Sequence, residues 1–240
     1  MIRQIVETKK REVAALPRHV LSPRTRPIIP FKLKKGVNII AELKRKSPSA
    51  GDIGEIDDRR IAIYTEYATA MSILTDVTYF GGSFELLAEV AHKTGIPILC
   101  KDFFIDESQI DLAWSKGADI ILLIARILEE DRLKTLYDHA QKLGLNCLVE
   151  VHEAKELKKI SHLNADIVGV NARNLDTLKI DLNRAKEIMS LVEAPVRVAE
   201  SGIKTKADIE GFNNANCFLI GETLMRSNDL ESTFQELLYG

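Results

Sequence analysis

Eight short apolar runs rich in β-branched residues recur along this chain, and their rhythm restricts the fold more than any other feature. They are Val37–Glu42, Met71–Asp76, Pro97–Asp102, Asp119–Ala125, Asn146–Val151, Ile167–Asn171, Val196–Glu200 and Cys217–Gly221. Successive runs start about 20 to 35 residues apart, the spacing of a strand–helix unit. Most are apolar almost throughout, as expected of strands buried on both faces. Helix-like segments fill the gaps. Phe84–Thr94 follows Ser83, a good N-cap, and Ser108–Lys116 follows Asp106 with Gln109 three residues on, a capping-box pattern. Asp131–Leu143 ends at Gly144, a natural C-terminal stop, and Leu182–Leu191 and Lys206–Phe212 occupy later gaps. Pro97 and Pro195 stand at or just before strand starts, where a missing N–H is tolerated.

Eight alternating units mean either a closed (β/α)8 barrel or an open doubly wound sheet. A chain of 240 residues suits one barrel, since such barrels run to roughly 250 residues. Open nucleotide-binding sheets usually carry a glycine-rich turn after the first strand. Here the first strand runs instead into Lys44-Arg45-Lys46-Ser47-Pro48-Ser49. The expected fold is therefore α/β, a (β/α)8 TIM barrel forming a single domain over 1–240. Residues 1–30 form an N-terminal extension packed on it, with a helix over Ile2–Leu16 and a linker carrying Pro17, Pro23, Pro27 and Pro30.

Composition excludes several classes. With 45% hydrophobic and 28% charged residues the chain is ordinary globular protein, and a net charge of -2 provides no chain-wide basic footprint for nucleic acid. No apolar run approaches the roughly 18 residues of a membrane span, and the N-terminus lacks the apolar stretch of a secretory signal. Cys100, Cys147 and Cys217 are odd in number, widely spaced and set in apolar segments. They read as buried free thiols in a reducing compartment, so a cytoplasmic protein is expected. The five histidines show no metal-binding spacing, so no metal is expected.

Chemistry in such a barrel sits at the C-terminal ends of the strands. Alternation places Glu42 and Lys44 on the face of Ile40, Lys101 on that of Leu99, Glu150 on that of Leu148, and Glu200 on that of Val198. With Asn171, these groups converge on one mouth. Burying so many charges is costly unless they have work to do. The chemistry this set allows is proton transfer, with a lysine whose pKa is lowered in a dry site as acid and a glutamate as base. Two ammonium groups, Lys44 and Lys101, suit an anionic substrate. Ser201-Gly202 and Gly221-Glu222-Thr223, after the seventh and eighth strands, stand where barrels of this class hold a phosphate, and Ser47 and Ser49 add hydroxyls. Asp57-Asp58-Arg59-Arg60 reads as a solvated helix start, Trp114 as packing, and Phe80-Gly81-Gly82-Ser83 as a flexible turn.

Blocks spread along the chain resemble the indole-3-glycerol-phosphate synthases. They are IIAELKRKSPSAGDI (39–53), SILTDVTYFGGSFELL (72–87), PILCKDFFID (97–106), ADIILLIARIL (118–128), LVEVHEAKEL (148–157), VGVNARNLDTLKIDL (168–182), VAESGI (198–203) and FLIGETLMR (218–226). IVETKKREVAAL (5–16) resembles the family's leading helix. The resemblance implies ring closure of 1-(2-carboxyphenylamino)-1-deoxyribulose 5-phosphate, with loss of carbon dioxide and water, to indole-3-glycerol phosphate in tryptophan biosynthesis. No cofactor is implied. It makes Lys101 the general acid and Glu150 the base of the dehydration. Lys44 contacts the anthranilate carboxylate, and Glu42, Asn171 and Glu200 orient the lysines and sugar hydroxyls. Arg173 binds the anthranilate end or holds Asn171, and Phe103 packs on the substrate ring. Ser47, Ser201, Gly202, Gly221 and Glu222 match the phosphate positions. The chain departs from the family pattern at Ala68-Thr69, at Ala172 and at Glu222-Thr223, where some members carry serines.

The implied partner is the phosphosugar–anthranilate substrate alone, with no nucleic acid and no membrane. A monomer is expected, with association with other tryptophan-pathway enzymes left open. Two alternatives stand beside this reading. One is another phosphosugar barrel, either an isomerase, which wants a Cys/Asp pair although Cys100 faces opposite to Lys101, or an aldolase with Lys101 as Schiff base. The other is a non-catalytic phosphate-binding barrel, against which the intact polar mouth argues.

Overall fold

The computed structural model describes residues 1–16, 23–48 and 51–240. Pro17 and Ser49, named above, lie outside these residues, as does one of the five histidines, His19. Eight parallel strands close a barrel: β1 Ile39–Leu43, β2 Ala70–Leu74, β3 Ile98–Lys101, β4 Ile120–Ile124, β5 Asn146–Val151, β6 Ile167–Asn171, β7 Val196–Glu200 and β8 Cys217–Ile220. Each pairs with its sequence neighbours, and β1 closes on β8 with Ile40 opposite Leu219. Three of the eight runs, from 146, 167 and 196, coincide with their strands end to end. The others shift by one or two residues at an end, where strand pairing gives way to turns.

Period-two alternation separates two apolar cores. Ile40, Leu99, Leu148 and Val198, from β1, β3, β5 and β7, fill the barrel interior with Leu122 and Leu219. Layers contributed by alternate strands are the packing rule of such barrels. Ala41, Cys100, Val149 and Ala199 point outward into the shell of helices. Cys100 therefore faces away from the mouth, as alternation requires, and its Sγ meets the Thr75 hydroxyl.

The helices begin where the sequence supplies caps. Ser83 accepts from the Leu86 N–H ahead of Phe84–Lys93. Asp106 and Gln109 close a reciprocal capping box at Glu107–Ser115. Asp57 caps Asp58–Tyr67, but this segment is not simply solvated, because Arg60 reaches across to donate to the Leu224 carbonyl. Phe80–Ser83 is also more constrained than a flexible turn. Asp76 caps a single helical turn over Val77–Phe80, and a Cβ on Gly82 would stand 2.0 Å from the Leu74 carbonyl oxygen. Close backbone approach, not mobility, is why glycine stands at 82.

The two parts of the N-terminal segment pack at opposite ends. Phe31 joins the barrel-interior core, and Arg24 donates to Asp119 at 2.6 Å, closing the bottom. Helix α1 (Ile2–Ala15) packs over the turns after β2 and β3 at the top. Among the described residues no helix is long and apolar enough to cross a membrane.

Candidate active site

Two residues beyond Ile40, Leu99, Leu148 and Val198 stands a charge: Glu42 on β1, Lys101 on β3, Glu150 on β5 and Glu200 on β7. Strand geometry alone stacks this polar layer on the apolar one, at the C-terminal end of the barrel. Above it opens a cavity of about 440 Å3. All thirteen residues proposed from the sequence line it, including Lys44, Ser47, Phe103, Asn171, Arg173, Ser201, Gly202, Gly221 and Glu222.

Lys101 is the hub. Its Nζ lies 3.4 Å from Glu200 Oε2 and 3.5 Å from Glu150 Oε2. Burial alone would lower its pKa. The carboxylates of Glu200, Glu150 and Glu42 outweigh burial and hold the ammonium well above the usual lysine range. A lowered lysine pKa, expected from a dry site, is thus overturned for Lys101, because three carboxyl groups surround it.

The carboxylates divide sharply. Burial would raise Glu150, but Lys101 and His152, with hydrogen bonds from Glu200 and Asn171, keep it below the usual carboxylate range. Asn171 Nδ2 donates to Glu150 Oε2 at 3.1 Å, and the Arg173 N–H holds the amide by donating to Asn171 Oδ1 at 2.9 Å. Glu200 is pushed well above its ordinary value by burial and by the adjacent Glu150 charge. Neighbouring carboxyls whose pKa values are driven apart can hold different protonation states at one pH. The Asn171 side chain therefore meets Glu150, where orientation of a lysine was expected. Lys44 pairs with Glu42 at 2.7 Å, and burial of Glu42 is outweighed by Lys44 and Lys101, which hold it low.

Two glycines make room for these carboxylates. A Cβ on Gly169 of β6 would stand 2.1 Å from Glu200 Oε1, and one on Gly221 would stand 2.4 Å from Glu42 Oε1. Gly169 escaped sequence reasoning, since a lone glycine in a strand signals only close approach of something unspecified.

At the opposite side of the mouth the backbone is strained. Ser201 has φ +68° and Gly202 φ +83°, and Leu178, another cavity residue, has φ +63°. Non-glycine residues in this region cost energy and cluster at working sites. Thr223 donates to the Ile203 carbonyl at 2.7 Å, which ties the turns after β7 and β8 together. Lys204 and Arg226 also line this end, and Arg226 pairs with Glu222 at 3.3 Å. These two cations were missed because they stand beyond the strand-end motifs.

The apolar wall comes from Met1, Ile5, Phe80, Phe103, Leu175 and Ile180, with the rings of Phe80 and Phe103 6.2 Å apart. Helix α1 is fastened beside this wall by a buried cluster. Lys9, 3% exposed, meets Asp102 at 2.7 Å and Asp76 at 2.9 Å. Asp102 also accepts from the Thr75 hydroxyl and the Phe103 N–H. Among the described residues no cluster of His, Cys, Asp and Glu could hold a metal ion.

Comparison with known proteins adds three findings. A family model described as indole-3-glycerol phosphate synthase matches residues 2–237. The chain is 41% identical to the indole-3-glycerol phosphate synthase of Exiguobacterium sibiricum over 95% of this chain and 93% of that one. It is 40% identical to the protein of the same name from Bacillus thuringiensis over 98% and 97%. Among solved structures it is similar to 3-hexulose-6-phosphate synthase from Salmonella typhimurium, with a TM-score of 0.68, 10% identity and coverage of 84% and 96%. It is also similar to a thiamine phosphate pyrophosphorylase from Pyrococcus furiosus, with a TM-score of 0.62, 16% identity and coverage of 84% and 93%. Likeness at that identity concerns the barrel fold alone.

Proposed function

The chain belongs to the indole-3-glycerol phosphate synthase family, and from that premise we propose how its side chains divide the reaction. The activity is that of a carboxy-lyase of tryptophan biosynthesis. It closes the ring of 1-(2-carboxyphenylamino)-1-deoxyribulose 5-phosphate, with loss of carbon dioxide and water.

The substrate's aromatic end lies against Phe80, Phe103 and Ile5, with its carboxylate toward Lys44 and Arg173. Its phosphate lies across the mouth, against the backbone N–H groups of Ser201-Gly202 and Gly221-Glu222, with Ser47 near it and the charges of Lys204 and Arg226 at the rim. In the first step the ring carbon bearing the carboxylate attacks the C2′ carbonyl. Lys101 donates its proton to the oxygen, whose developing alkoxide is more basic than an ammonium even of raised pKa. Carbon dioxide then departs and restores the electron pair to the ring. In the last step Lys101, reprotonated from solvent, protonates the new hydroxyl, which leaves as water, while Glu150 removes a proton from the former C1′ methylene and indole aromaticity is established. Glu200 stays protonated beside Glu150 and keeps the second negative charge out of the site.

The observation that carries this reading is Lys101 at 3.4–3.5 Å from two carboxyls whose pKa values are driven in opposite directions, beside an apolar-walled cavity. A Schiff base needs a neutral amine, and the anions around Lys101 disfavour one. Three buried free cysteines support a reducing, cytoplasmic setting. The large exposed apolar residues Val77, Ile180, Leu191 and Tyr239 are scattered, which supports a monomer. The test is indole-product fluorescence from the carboxyphenylamino sugar phosphate, with chelator present. Lys101→Ala is expected to lose roughly 100- to 10,000-fold in kcat. Near wild-type turnover in that variant would remove Lys101 from the acid role.

A further inference from the structure

His152 is a buried ionisable group that the chemistry above does not use. It follows β5 directly, and its side chain is fully buried. Its Nε2 lies 3.2 Å from Glu150 Oε1. Neither ring nitrogen has a hydrogen bond of good geometry to any described residue. A buried polar group without a partner is costly and calls for an explanation. The backbone around the ring is fixed. The His152 N–H donates to Glu156 Oε2 at 2.6 Å, and Glu156 belongs to the capping box that starts helix Ala154–Ile160. The ring is therefore presented to Glu150 by a rigid mount.

Each oxygen of the Glu150 carboxylate then has a different neighbour. Asn171 and Lys101 meet Oε2, whereas the imidazole meets Oε1. We propose that His152 is a positioning residue, which donates its Nε2–H to Glu150 Oε1 and holds the carboxylate in one orientation, ionised, for proton abstraction. The inference rests on the reading of Glu150 as the base. Catalytic hydrogen bonds that are poorly aligned in an open site tighten in the working complex.

The charge environment fits a neutral donor. Burial pushes the imidazole below its ordinary pKa against the pull of Glu150 and Glu156, and Arg126 and Lys101 push the same way. A neutral ring carrying its proton on Nε2 satisfies Glu150 without adding a second cation beside Lys101. The groups facing Glu150 are Lys101 from β3, Glu200 from β7, Asn171 from β6 and His152. Glu42 and Lys44 from β1 sit across the same mouth.

The experiment compares His152→Gln, whose amide nitrogen can stand in for Nε2, with His152→Phe and His152→Asn, which keep bulk or polarity but cannot make this bond. Removing the bond destabilises the Glu150 anion, so the acid limb of kcat should move up by roughly one pH unit in Phe and Asn. Their kcat should fall by roughly 10- to 100-fold with little change in KM. Gln should restore the limb and most of kcat. Nitrogen NMR of the wild-type enzyme should find the His152 ring neutral and protonated at Nε2 across the working pH range. An unmoved acid limb in both Phe and Asn, a Gln variant no better than they are, or the Nδ1–H tautomer would overturn the proposal. A Phe variant that does not fold leaves the Gln–Asn comparison to decide. Glu150→Gln separates the two levels. Full activity there removes the base reading itself, whereas loss there with a normal His152→Asn removes His152 alone.

Discussion

Gly169→Ala tests whether the position of one carboxylate carries the site. The added methyl would stand 2.1 Å from Glu200 Oε1 and 3.0 Å from Leu148 Cδ1. To regain ordinary contact the oxygen must retreat by about 1.3 Å, and it belongs to the far end of a side chain that can swing. Stability should therefore fall by only about 1–2 kcal/mol, the milder range of overpacking. Activity should suffer far more. A displacement of about 1 Å near the reacting atoms costs about 100-fold in rate. There is also a signature in pH. Glu200 keeps its proton at neutral pH, but once ionised as pH rises it contributes most to raising Lys101. Moving it away lets the ammonium lose its proton earlier as pH rises, so the alkaline limb of kcat should shift to lower pH. Indole-product fluorescence gives kcat and KM across pH, and a urea melt gives stability. A Gly169→Ala enzyme with kcat within about threefold of wild type and an unmoved alkaline limb would refute the reasoning, because Glu200 would then have no required position.

Other expectations follow from the same geometry. Lys101→Arg should not rescue turnover, because a guanidinium holds its proton too tightly to donate it, and wild-type kcat there would contradict proton donation from this position. Glu200→Gln imitates the protonated carboxyl and should stay within about tenfold of wild-type kcat, whereas Glu150→Gln should lose far more; steady-state kinetics on the pair decides. Lys9→Met strands Asp76 and Asp102, both buried, and should cost about 3–5 kcal/mol in a urea melt; it should also raise KM, since Asp102 holds the Phe103 backbone. Inorganic phosphate or sulfate should compete with substrate and appear in soaked crystals near Gly202 and Gly221, and an empty site there at high sulfate would contradict the anion assignment.

Alternation made much of the mouth legible. Once Ile40, Leu99, Leu148 and Val198 are read as inward, Glu42, Lys101, Glu150 and Glu200 must share their face, because the side-chain period of a strand is two. Cys100 is excluded by the same arithmetic. The caps at Asp57, Ser83 and Asp106 were readable because capping is local in sequence. The Lys9 cluster was not, since its partners Asp76 and Asp102 lie on two different turns and no local pattern announces them. Nor was the protonation of Lys101, which sequence reasoning placed too low. Composition shows that cations and anions are both present, but only distances show that carboxylates crowd around this one ammonium.

The sequence by itself determined the eight-fold repeat, the face on which each strand-end charge stands, and, through blocks spread over the whole chain, the family. Those properties depend on neighbours one to four residues away and on the periods of strand and helix. The tertiary structure alone decided which charges touch, that Glu150 is held low in pKa while Glu200 is pushed high, that Gly169 gives a carboxylate its space, and that His152 faces Glu150 with no hydrogen-bond partner among the described residues. Such facts depend on barrel closure, which brings β3, β5, β6 and β7 to within hydrogen-bond reach of one another across stretches of 20 to 100 residues. Coulomb and desolvation terms act through space over a few ångströms, a distance on which spacing along the chain carries no information.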